Sequence, residues 1–151
     1  MLLRRSFLAL STSWAVALPL AAFAASRPAA GAAVYGFALT VYSIGRLICH
    51  QLPERSFHLW RATLPVCARC TGIYVGAAAT AIVLAMTASP SRRRGEAAKA
   101  DARLVLLVSF LPTAGTLIFE WTTGITPSNW IRALAGAPLG AAVAWAIGMV
   151  N

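Results

Sequence analysis

The chain has 151 residues, of which 59% are hydrophobic and only 11% charged, against about 45–50% and about 25% in soluble domains. A fold this small buries only part of its surface, so this composition excludes a soluble globular protein and calls for a lipid solvent. Thirteen Lys and Arg against four Asp and Glu give a formal net charge of +9. These charges sit between long uncharged runs, not on a basic face interleaved with aromatics, so they argue for headgroup contacts at a bilayer and against nucleic acid.

Five stretches carry no charge: Ser6–Ala25, Pro28–Gly45, Gly72–Ser91, Leu104–Phe119 and Ala133–Asn151. A helix needs ~20 apolar residues to cross ~30 Å of hydrocarbon. Ala, Leu and Gly dominate and no alternation appears, so the reading is all-α: a polytopic bundle of four or five transmembrane helices. The first stretch follows the basic Met1–Arg5 and ends near Ala22-Phe23-Ala24, which has the form of a signal-peptide cleavage site. An uncleaved helix is preferred, turning at Ser26-Arg27-Pro28 into the second stretch. Residues 1–27 therefore read as a hydrophobic helix or signal-anchor. Residues 28–151 read as a membrane domain with a Cys/His loop at 46–72, a basic linker at 89–103 and a C-terminal helical pair at 104–151.

In the second stretch Tyr35, Leu39, Tyr42 and Arg46 line one helical side, and Val34, Phe37, Val41, Ile44 and Ile48 the other. The polar stripe leads towards Cys49 and His50. The linker, with Arg92-Arg93-Arg94, Gly95, Glu96, Lys99 and Asp101, reads as a solvated loop. Pro112 is expected to kink the fourth stretch. The linker carries five positive charges and the Cys/His loop four (Arg46, Arg55, Arg61, Arg69). The positive-inside rule then leans towards a cytoplasmic linker and an opposite Cys/His loop, with Trp60, Trp121 and Trp130 as an interfacial belt. If the third and fourth stretches both cross, the Cys/His loop and the Glu120–Arg132 loop share a face.

All three cysteines and both histidines lie between Cys49 and Cys70. Cys67-x-x-Cys70-x-Gly72 has the form of a metal knuckle, in which the glycine lets backbone N–H groups turn to sulfur. Zinc favours four N/S ligands in a tetrahedron, which Cys49, His50, Cys67 and Cys70 supply, with His58 as the alternative histidine. The same Cys67-x-x-Cys70 spacing serves thiol–disulfide exchange, and a disulfide that only braces the loop is the third reading. Arg69 between the cysteines lowers a thiol pKa in either case. Catalytic candidates are Glu54 as a general base, Arg55 as an anion contact, and Glu120 at the end of an apolar helix. The plain alternatives are a local Glu54–Arg55 ion pair and a solvated Glu120–Arg132 pair. Ser128-Asn129 is a plausible N-cap for the last helix.

Cys49-His50-Gln51 with Pro53-Glu54-Arg55-Ser56-Phe57, then Pro65-Val66-Cys67-Ala68-Arg69-Cys70-Thr71-Gly72-Ile73-Tyr74, resembles a bacterial family of small predicted membrane proteins, domain of unknown function twenty eighty-five. Pro112 and Ser128-Asn129…Arg132…Gly136 are similar to its C-terminal half. The resemblance implies a multi-pass protein of the bacterial inner membrane with no established activity. The expected partners are the lipid bilayer and a second copy or another membrane protein. The expected cofactor is zinc, and the rival functions are a membrane thiol–disulfide oxidoreductase and a non-catalytic assembly subunit.

Overall fold

The computed structural model describes residues 2–27, 31–87 and 96–150. The elements are α1 (Leu2–Ala25), α2 (Ala32–Ile48), a 3-10 turn at Pro53–Arg55, β1 (His58–Leu59), β2 (Ala62–Thr63), α3 (Ala68–Met86), α4 (Glu96–Thr123) and α5 (Asn129–Val150). Four helical segments are long and apolar enough to cross a bilayer: Ser6–Ala25, Ala68–Met86, Asp101–Thr123 and Asn129–Gly148, with mean hydropathy from 1.4 to 1.8. The fold is the all-α membrane bundle that composition demands. The only sheet among the described residues is the two-stranded hairpin.

The helix ends follow local chemistry. Cys49 stops α2 in extended backbone, its N–H still donating to the Gly45 carbonyl at 2.9 Å. Ser128 caps α5, its hydroxyl accepting the Ile131 N–H at 3.4 Å, as expected of a serine just before a first turn. Gly124 closes α4 with φ of 69°, a left-handed conformation that glycine adopts without strain. α4 starts at Glu96, inside the segment read as a loop. Ala97, Ala98, Lys99, Ala100 and Ala102 are strong helix formers, and an apolar period is not needed where a helix extends beyond its packing partners. The helix then runs on through Pro112.

α3 and α5 pack along small residues. A Cβ placed on Gly72 or Gly76 would strike the Ala133 or Ala137 carbonyl, and one on Gly136 or Gly140 would strike the carbonyl of Arg69 or Ile73. Each helix thus offers two glycines, four apart, to the other's backbone. Lipid gives apolar side chains no reason to prefer each other, so close van der Waals approach holds such pairs together. α4 packs on α5, and Thr113 donates to the Ala135 carbonyl at 2.8 Å between them. α1 lies against α3 with Trp14 edge-on to Tyr74, ring centroids 6.1 Å apart. Leu18 and Ala21 of α1 share one buried cluster with Val41, Cys49 and Val66.

The far end of α1 meets the hairpin, where Phe23 and Trp60 make an edge contact at 5.2 Å. Tyr35, one turn into α2, donates from its hydroxyl to the Arg27 carbonyl just beyond α1, at 3.0 Å. α2 packs along α1, and its 17 residues make it shorter than the four helices long enough to cross. Its buried face is Ala38, Val41 and Gly45, leading to Cys49. Arg46 is exposed, so the polar stripe does not continue inward.

Candidate functional site

The loop from Cys49 to Cys67 is a folded cap on α3 and α5. Gln51 is left-handed, with φ of 50°. This turns its side chain back so that Nε2 donates to the Tyr42 carbonyl at 2.8 Å and the Pro65 carbonyl at 2.6 Å. Tyr42 donates to the Thr63 carbonyl, and Gly45 leaves room for the Pro65 backbone. The hairpin pairs His58 with Thr63 and Leu59 with Ala62. Its two-residue turn puts both Trp60 and Arg61 at positive φ, 50° and 70°. That is the twist a tight hairpin wants, at a cost of roughly 1–2 kcal/mol for each side-chain-bearing residue. On the other flank, Asn129 donates to the Ser56 carbonyl at 3.0 Å, and Phe57 packs on Trp130 at 5.0 Å.

This cap brings Cys49 beside the first turn of α3. The sulfurs of Cys49, Cys67 and Cys70 lie within 4.8 Å of one another, and all three are free thiols. Cys67 caps α3, and its backbone N–H donates to the Cys49 sulfur at 3.1 Å. The Cys49 thiol is held far below the usual thiol range, first by the hydrogen bond from the Cys67 thiol and then by that from Cys70, against the opposing effect of burial. Cys67 is raised, first by the same bond to Cys49. A zinc ion with bonds of about 2.3 Å to sulfur spaces neighbouring sulfurs roughly 3.8 Å apart, so the donor set fits three corners of a tetrahedron.

The two histidines do not join this group among the described residues. His50 follows Cys49 directly and is exposed, and His58 is exposed on β1. Gly72 does not serve the sulfurs; it is where α5 comes closest, and the N–H that reaches sulfur belongs to Cys67. Arg69 does not tune the thiols either, because its guanidinium turns to α4. There Nη2 donates to Thr116 at 3.2 Å and to Glu120 at 3.1 Å.

Glu120 is the centre of a second cluster. Its carboxylate meets Arg69 at 3.1 Å, Arg132 at 2.9 Å and Arg55 at 3.8 Å. The side chains of Glu120 and Arg132 are 4% and 3% exposed, so the pair read as solvated is in fact buried. Arg55 reaches this carboxylate instead of the neighbouring Glu54, which stays exposed on the 3-10 turn. The sequence argument that put Glu120 on the cysteine face holds. It missed that Arg69, between two cysteines, is the residue joining the clusters. The signal was available: on a helix, position 69 points away from positions 67 and 70, hence towards a different neighbour.

An uncharacterized protein of Methanocaldococcus jannaschii is 33% identical to this chain over 76 residues, half of this chain and 46% of its own length. An uncharacterized protein of Methanothermobacter thermautotrophicus is 59% identical over 32 residues, 21% of this chain and 29% of its own. The chain thus spans less than half the length of either archaeal relative. No solved structure matches it. The model of the family described as "Predicted membrane protein (DUF2085)" matches residues 49–146, which hold every cysteine and every residue of the Glu120 cluster. The chain belongs to that family and is an integral membrane protein with apolar membrane-crossing helices.

Proposed function

We infer that Cys49, Cys67 and Cys70 hold a soft divalent metal ion, zinc by the nature of the donors, at one end of the membrane bundle. The observation that carries this reading is the convergence of three sulfurs within 4.8 Å from two separate segments. The backbone N–H given to the Cys49 sulfur supports it, because such bonds stabilise thiolate ligands. His50, adjacent to Cys49, is the side chain proposed for the fourth corner, with His58 as the alternative. A metal here ties the end of α2 to the start of α3 and so fixes the cap.

The second reading is thiol–disulfide exchange, in which Cys67 and Cys70 give two protons and two electrons to a partner's disulfide. It is favoured by one observation: Cys67 caps α3 and Cys70 lies in its first turn, where the helix dipole supports a thiolate.

Elemental analysis of the purified protein with a thiol count separates the readings. About one zinc per chain is expected, with three thiols released by chelation. Cys49→Ser is expected to lose the metal, and His50→Ala to weaken its retention. Metal-free protein carrying a Cys67–Cys70 disulfide would overturn the metal reading.

A further inference from the structure

We propose that Arg55, Arg69 and Arg132 form a receptor for a phosphate-type oxyanion, with Glu120 holding the guanidiniums in place. Three guanidiniums converge on one carboxylate, leaving two positive charges unbalanced. The chain has four acidic residues. Glu96 and Asp101 lie in the first turns of α4, at the opposite end, and Glu54 is exposed beside Arg55. No second carboxylate within the cluster is available. Cys67 lies within electrostatic reach of Arg132, yet three thiolates around a divalent ion sum to only one negative charge. A positive surplus remains whether or not the metal is bound, so the inference stands apart from the metal reading.

The surplus is buried and chemically unspent. Arg132 is 2% exposed, and its Nε and Nη2 have no hydrogen-bond partner; nor does the Nε of Arg69. Arg132 Nη2 is an ion-pair neighbour of Glu120 at 2.9 Å, but its N–H bonds are not directed at the carboxylate. Arginine cannot shed its proton to escape this cost. A buried donor left unsatisfied is destabilising, and a buried charge without a partner more so. A network built only to join α3, α4 and α5 would be served by one arginine per carboxylate. Guanidinium N–H groups set in a fork match the oxygens of a phosphate.

The geometry also supplies an entrance. Arg55 is 40% exposed at the side chain, and its contact with Glu120 is the longest of the three at 3.8 Å. It can swing from the carboxylate to an incoming anion without disturbing a buried pair. Trp121 and Trp130 flank this end and are largely exposed, as expected at headgroup depth. A lipid headgroup and a phosphate in solution present the same chemistry of recognition here.

The test uses the full chain in detergent and in lipid nanodiscs, with metal content measured on the same preparation. Thermal unfolding is followed with inorganic phosphate, and with phosphatidic acid against phosphatidylcholine. A rise in midpoint with both phosphate and phosphatidic acid supports the site and a soluble source; a rise with phosphatidic acid alone supports it and a lipid source. Arg55→Gln should lower the affinity about tenfold, the scale of one charge-assisted hydrogen bond, while leaving the fold and the metal content unchanged. Glu120→Gln should unfold more readily and be rescued by phosphate. No shift with either ligand in the wild type, or an unchanged affinity in Arg55→Gln, overturns the proposal. Because metal content is read separately, its loss would count against the metal reading alone.

Discussion

At the scale of residues, the two clusters share α3's first turn yet face different neighbours. Cys67 and Cys70 look to α2, and Arg69 between them looks to α4. The charges on the Glu120 side differ greatly in burial, and so should their worth. Glu120→Ala strands Arg69 and Arg132 in a buried site and is expected to destabilise by about 3–5 kcal/mol. Arg55→Ala removes a half-exposed partner and should cost no more than about 1 kcal/mol. Unfolding midpoints in detergent check the contrast; equal losses would mean that Arg55 is held as firmly as the buried pair. The three cysteines were legible in the sequence because no other part of the chain contains that residue type. The arginine cluster was not, because Arg55, Arg69, Glu120 and Arg132 come from four separate stretches. Only the shared face of Glu120 and the loop followed from counting crossings.

At the scale of elements, the glycines decide how the clusters are held. Gly72, Gly76, Gly136 and Gly140 let α3 and α5 touch backbone to backbone, which sets the first turns of both helices side by side. Gly72→Leu or Gly140→Leu is expected to prevent folding or cost at least about 1–3 kcal/mol, since the obstacle is backbone and cannot move aside. Gly36→Ala and Gly115→Ala meet nothing within 4 Å and should stabilise by up to about 1 kcal/mol, the helix preference of alanine over glycine. Denaturation curves of the four variants would separate these classes. The small-residue spacing stood in the sequence, but its partner strip lies some 60 residues away, and nothing local says which helix it meets. The same limit explains α2. Its apolarity allowed a crossing, and nothing local said that it would end at Cys49 after 17 residues, short of the four crossing helices.

At the scale of the whole molecule, four crossings place the start of α1, the start of α4 and the end of α5 at the end opposite the cysteines. In the sequence, Arg4 and Arg5 precede the first crossing, and Arg92, Arg93, Arg94, Lys99 and Arg103 fall between the apolar stretches of the second and third crossings, seven Lys and Arg in all. The loops at the cysteine end carry six, Arg27, Arg46, Arg55, Arg61, Arg69 and Arg132. The count is seven against six, and the positive-inside rule leans towards a cytoplasmic 89–103 segment. A reporter fused within residues 89–95 should be active only as a cytoplasmic reporter; activity of a periplasmic or external reporter there would reverse the assignment. The family match begins at Cys49, whereas Leu18 and Ala21, which cover the sulfurs, belong to α1. The segment that the family model covers thus holds all the cysteines and the whole Glu120 cluster, while part of what covers the sulfurs comes from α1, outside it. Exchanging α1 alone would therefore change what shields the cysteines from the bilayer and leave Glu120 and its arginines in place.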